Sequence, residues 1–311
     1  MTRGIAVAWL LLCLAACSSP DAARQSTCTV DRVVDLPTRQ VAGGVLVPAA
    51  VNQTAVQMQV DTGASDSSIT PAAAMALRLP PDATRRTTVI GVGGQIVTRN
   101  SLVSDFEVGH QLWTGQSFVT APLARLYHEE PPVAGLLGAN FLADFDVELD
   151  LPHGRMTLWQ VQGCTGDFAW HDVPHFSVAL RRYAPARMVA GVEIDGQKLA
   201  ALIDWGANVS VLKVETAAQL GVTPEVLAVD PNGHSRGTDG NEIEVRVHRF
   251  PEIRIGKGVF HQVRVQVAPV HLRDVDMLLG LDYARTRRLW LSYATGQLFV
   301  ALPPRPPVST N

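Results

Sequence analysis

Two short stretches carry the residues most able to do chemistry. "VDTGAS" at 60–65 and "IDWGAN" at 203–208 each place an aspartate after an aliphatic residue, then one residue, then Gly and Ala. A simple Asx turn accounts for one such stretch. It does not account for an acid at the end of an apolar strand written twice. Two carboxylates a few ångströms apart cannot both ionise, so they share a proton. One then takes a proton from water while the other donates one, the division of labour that general acid–base hydrolysis requires. Asp61 and Asp204 are the candidate pair. Gly63 and Gly206 add no side chain where two backbone loops would nearly touch.

The acid turns belong to a long internal repeat. Gly138 of "LLGAN" stands 77 residues after Asp61, and Gly280 of "LLGLD" stands 76 after Asp204. The glycines of the last hairpins, Gly154 and Gly296, follow at 93 and 92. Three landmarks in step mark a tandem duplication. Each half starts with a period-2 hairpin; Asp195-Gly196 supplies a turn pair in the second. A short Ala-rich helix follows ("PAAAMALRL", "VETAAQLGV"), then a Gly-containing segment, further hairpins, the apolar-apolar-Gly element and a closing hairpin. The expected fold is mostly β, two duplicated lobes with a short helix each.

Asp-Thr-Gly-Ala-Ser after an apolar strand, with Leu-Leu-Gly some 75 residues on, resembles the retropepsin-type aspartic proteases. Both halves match over roughly residues 40–303, so the chain looks like two retropepsin-type lobes fused as in the bilobal, pepsin-like arrangement. The resemblance implies that the Asp61 and Asp204 dyad activates water, and that Thr62 reaches a backbone group of the opposite lobe. It implies that Gly138 and Gly280 let a strand pass close behind each acid loop. Ser65 and Asn208 fall where retroviral enzymes hold substrate backbone. "VIGVGGQIV" resembles the retropepsin flap, with Gly91, Gly93 and Gly94 at its tip. In the second half Gly237, Asp239 and Gly240 make a stiffer turn or an ordinary loop. Trp205 departs from the pattern by replacing the second Thr, which removes or rebuilds half of the lock between the loops. Ala64 and Ala207 stand where pepsin-like enzymes often have a hydroxyl on the acid; without it the anions are less stabilised, favouring a dyad working nearer neutral pH.

The chain has 311 residues, 47% hydrophobic, with a formal net charge of −3 and no basic stripe, which argues against a nucleic-acid partner. "MTRGIAVAWLLLCLAACSSP" reads as an export signal, too short for a permanent span. "LAAC" resembles the bacterial lipobox, implying lipid on Cys17 and, with Ser18 next, the outer membrane facing the periplasm; the alternative is a plain signal peptide. Cys28 and Cys164 remain as an even pair in an oxidising compartment, either bridged or as two thiols. His171 and His175 are separated by Pro174, which breaks any helix aligning them on a metal. No phosphate loop, dinucleotide fingerprint or nucleophile elbow is present, and no cofactor or metal is expected.

The expected organisation is a signal at 1–16, a linker at 17–39 after lipidated Cys17, a lobe at 40–165, a connection at 166–185, a second lobe at 186–303 and a Pro-rich tail at 304–311. The resemblance implies an aspartic endopeptidase of exported proteins or peptides, monomeric, with its site within one chain and a lipid anchor in the membrane. Two alternatives remain: a non-catalytic peptide-binding protein in which Trp205 grips the ligand, and a site formed by pairing Asp61 lobes of two molecules.

Overall fold

The computed structural model describes residues 27–91, 94–123, 129–183, 185–236 and 242–303. The signal, Cys17, Gly93, the turn at Gly237, Asp239 and Gly240, and the tail lie outside the described residues.

Alternating apolar residues fold into matching strand pairs in each half. In the first, Gly44–Val51 pairs antiparallel with Thr54–Val60; in the second, Arg187–Ile194 pairs with Gln197–Ile203. The second hairpin turns through Asp195 (φ 49°) and Gly196 (φ 83°), and the first makes the same left-handed turn with Asn52 (φ 46°) and Gln53 (φ 65°). Each inner strand lies parallel to its Leu-Leu-Gly strand, Val133–Leu137 or Met277–Leu279. The helices are short: Pro71–Ala76, with Pro at its start and Thr70 Oγ1 accepting from Ala73 N–H, and Val214–Gln219. Mostly β structure in two similar lobes is the architecture that the repeat predicts.

The lobes are joined by a sheet that the sequence reading did not foresee. Asp146–Asp150 pairs antiparallel with Arg288–Ser292, so the two closing hairpins meet edge to edge. Thr29–Pro37 adds on one outer side and His175–Tyr183 on the other, giving six strands in succession. Two expectations are corrected here. Residues 29–37 are strand rather than linker, and the connection at 166–185 carries the strand His175–Tyr183. Both segments take their place from partners distant in sequence, Thr29–Pro37 at the sheet edge and His175–Tyr183 between the last closing strand and Arg187–Ile194. Cys28 and Cys164 form a disulfide that ties the first outer strand to the end of its neighbour.

Candidate active site

The main core extends through both lobes and leaves the acid loops at the floor of a cleft of about 1240 Å³ between them. Asp61 and Asp204 follow directly on the strands Thr54–Val60 and Gln197–Ile203, and each backbone N–H is held at 3.0 Å by the neighbouring Leu-Leu-Gly strand, at Leu137 and Leu279. The two carboxyls stand close enough for each to shift the other's protonation. Each Oδ1 also accepts from the two backbone amides that follow: Gly63 (3.0 Å) and Ala64 (2.8 Å) on Asp61, Gly206 (2.9 Å) and Ala207 (3.0 Å) on Asp204.

The glycines explain how the loops approach. A Cβ on Gly63 would stand 2.4 Å from Asp204 Cγ, and one on Gly206 would stand 2.2 Å from Asp61 Cγ. Each glycine therefore faces the other lobe's acid. Gly138 and Gly280 act behind the loops: a Cβ there would lie 2.6 Å from the backbone carbonyl carbon of Asp66 or Val209.

Burial is the largest influence on both acids and raises them above the ordinary carboxylate range. Asp204 is pushed up to about 8, first by burial and then by the charge of Asp61. The backbone amides and the Arg187 guanidinium pull in the opposite direction. The pair is built to keep a proton near neutral pH.

Thr62 locks the loops from one side. Its buried hydroxyl donates to Ile203 O at 2.8 Å and accepts from Trp205 N–H at 2.9 Å, both in the other lobe. Trp205 has no hydroxyl with which to reciprocate. Its ring is 1% exposed, belongs to the main core and does not line the cleft. The alternative in which Trp205 grips a peptide is thereby corrected: a large indole at this position packs inward.

Ser65, Asn208, Gly91 and Gly94 all line the cleft. Asn208 Oδ1 accepts from Arg285, which leaves its amide NH₂ as the polar group still open to a ligand. Gly91 and Gly94 face each other at the end of the long hairpin formed by Pro81–Gly91 and Gly94–Val108. Outside the cleft, His175 bonds Asp167 at 2.6 Å.

Several supporting residues were missed. Ser67 Oγ accepts from Gly138 N–H and donates to Asn140 Oδ1; Ser210 Oγ accepts from Gly280 N–H and donates to Asp282 Oδ1. The signal was available, since a Ser stands six residues after each Asp and a polar residue two after each Leu-Leu-Gly glycine. Gln59 Nε2 reaches across to Gly206 O at 3.3 Å, and Arg187 NH1 to Gly63 O at 3.5 Å. Neither has a counterpart in the other half, so the repeat could not reveal them.

A mostly β, two-lobed chain with an aspartate pair across its pseudo-twofold axis defines the aspartyl protease class. The aspartyl protease family model matches residues 47–141 and again 190–283, more than half of the chain, and the chain belongs to that family. A curated relative, the UBA domain-containing protein Mud1 of Schizosaccharomyces pombe, is 36% identical over 98 residues, which are 32% of this chain and 28% of that protein. Among solved structures, a retropepsin-like aspartic protease from Rickettsia conorii aligns at 20% identity and TM-score 0.33, covering 43% of this chain and 96% of its own.

Proposed function

We propose that the chain is an aspartic endopeptidase that cuts exported proteins or peptides with a water activated jointly by Asp61 and Asp204. The observation that carries the reading is the pair of carboxyls, each set against the opposite lobe's glycine, at the floor of an open cleft. The ionised member of the pair takes a proton from water as its oxygen attacks the scissile carbonyl carbon. The protonated member gives its proton to the carbonyl oxygen, producing a gem-diol. When the diol collapses, the C–N bond breaks, the acid that took the water proton gives it to the leaving nitrogen, and a diol hydroxyl returns its proton to the other carboxylate, which restores the shared proton. The two acids titrate as a unit, so the proton belongs to the pair. Both halves of the pair lie in one chain, so a monomer suffices.

The leader supports export, and "LAAC" supports a lipid anchor on Cys17 at the periplasmic side of the outer membrane. The binding-only reading rested on Trp205 in the ligand's path, and a buried indole gives it no support.

A peptide-library digest with and without pepstatin tests the activity. Asp61→Asn and Asp204→Asn are each expected to abolish cleavage, and the double variant to be hardly worse than either. Cleavage by Asp204→Asn at the wild-type rate would overturn the intramolecular dyad.

A further inference from the structure

The repeat allows the two walls of the cleft to be compared position by position, and they differ in charge. Arg187 stands 17 residues before Asp204; the residue 17 before Asp61 is Gly44. A cation on one side thus has a bare backbone as its mate. The Arg187 guanidinium lies 4.6 Å from the centre of the Tyr183 ring, and its NH1 reaches over to Gly63 O at 3.5 Å, beside the acid pair. Tyr183 in turn donates its hydroxyl to Arg273 O at 2.9 Å, which fixes the ring to the loop ahead of the second Leu-Leu-Gly. Arg273 is seven residues before Gly280, whereas Pro131 is seven before Gly138. Likewise His271 answers to Glu129, which is tied to Arg39 at 2.5 Å. Arg273 and His271 are exposed, line the cleft, and have no ion-pair partner among the described residues. The acid on this wall, Glu242, is already shared between Arg236 (3.1 Å) and His234 (3.2 Å). The second lobe's wall is basic from the floor to the rim.

Resting on the protease reading above, we propose that this wall selects peptides with an acidic side chain close to the scissile bond. Arg187 is the inner recognition group and Arg273 the outer one. A guanidinium presents a planar fork of donors that matches a carboxylate in two parallel hydrogen bonds, and the partly dry floor strengthens the pairing. A glutamine of the same shape offers one carbonyl and no charge. The neutral first-lobe counterparts, Gly44 and Pro131, make the preference directional along the substrate. Arg187 also lowers both aspartates, so it sets the upper limit of the working pH range as well.

The test uses paired synthetic peptides, built around a bond found by library digest, with Glu or Gln scanned through the positions flanking it. Wild type is expected to favour Glu over Gln by about tenfold or more in kcat/KM at one position, a difference of about 1.4 kcal/mol. Arg187→Gln should abolish that ratio and move the alkaline limb of the pH profile upward; Arg187→Lys should retain part of the ratio. Arg273→Gln should reduce it, as should added salt. Equal cleavage of Glu and Gln peptides at every position overturns the proposal, and so does a preference that survives both glutamine variants. Should wild type cut nothing, the protease reading fails on its own account. Anisotropy with the same labelled peptides then decides recognition: Glu-dependent binding upholds it and equal binding overturns it. Should Arg187→Gln fail to fold, the exposed Arg273→Gln carries the comparison.

Discussion

Replacing Thr62 by Val keeps the side chain's shape and removes the one hydroxyl that ties the acid loops together. Thr62 is 1% exposed, so no water stands ready to replace it. The change leaves Ile203 C=O and Trp205 N–H, which were bonded at 2.8 and 2.9 Å, without partners in the interior. Each buried orphan costs about 1–3 kcal/mol, so the variant should lose about 2–6 kcal/mol. That is a large share of the ~5–15 kcal/mol typical of folded domains. The two orphaned groups also flank Asp204 in the chain. Loosening them lets its carboxyl drift from Asp61, and a displacement of the order of 1 Å lowers kcat about a hundredfold. Urea unfolding gives the stability and peptide turnover gives kcat, with Thr62→Ser, which retains the hydroxyl, recovering most of both. A Val variant within about 0.5 kcal/mol of wild type and with unchanged kcat would refute the one-sided lock.

Three further outcomes follow from the same floor. Activity should fall as pH rises through about 8, where the pair loses its shared proton. Because its folded value lies above its unfolded one, the stability that this protonation contributes is fully present below the ordinary carboxylate value and lost as pH climbs towards 8. Wild type should therefore weaken relative to Asp204→Asn across that window, and parallel urea midpoints at pH 4 and 8 would contradict the raised value. Gly206→Ala should all but abolish cleavage, since its Cβ would fall 2.2 Å from Asp61 Cγ; wild-type kcat in this variant would mean that the loops have room to spare. Trp205→Thr should destabilise by about 3–5 kcal/mol, as other large aromatic truncations in cores do, because a returned hydroxyl cannot fill the space of a buried indole. A stability equal to wild type would show that the indole contributes little to the core.

The duplication made most of this legible before any coordinates. Strand periodicity, the turn pair at Asp195-Gly196 and the spacing to Leu-Leu-Gly all report local rules, and the lobes obey them. What escaped was whatever depends on partners far away in sequence. Thr29–Pro37 and His175–Tyr183 are strands because other strands' edges await them, not because of their own patterns. Arg187 and Gln59 matter through reaching the other lobe's loop, and no mate in the repeat marks them. Trp205 was misjudged because a single sequence does not say on which side of a loop a side chain lies.

That misjudgement bears on how a fused chain differs from a pair of separate lobes. Two identical lobes that must find each other need every cross-contact their symmetry can supply, including a hydroxyl from each side. Here the lobes are already held by covalent linkage and by the sheet between Asp146–Asp150 and Arg288–Ser292. Buried polar contacts reinforce that sheet. Trp290 Nε1 donates to Asp146 at 3.0 Å, and Glu148 accepts from Trp159, Trp170 and Arg288. With the lobes positioned from below, one hydroxyl that both donates and accepts is enough to set the spacing of the acid loops. The partner position is released from that duty and becomes core, filled by an indole. The same release allows an arginine opposite a glycine, because the floor no longer has to be symmetric to assemble. The joining sheet therefore makes room for asymmetry at positions 205 and 187: one half supplies the clamp, the other the packing and the charge.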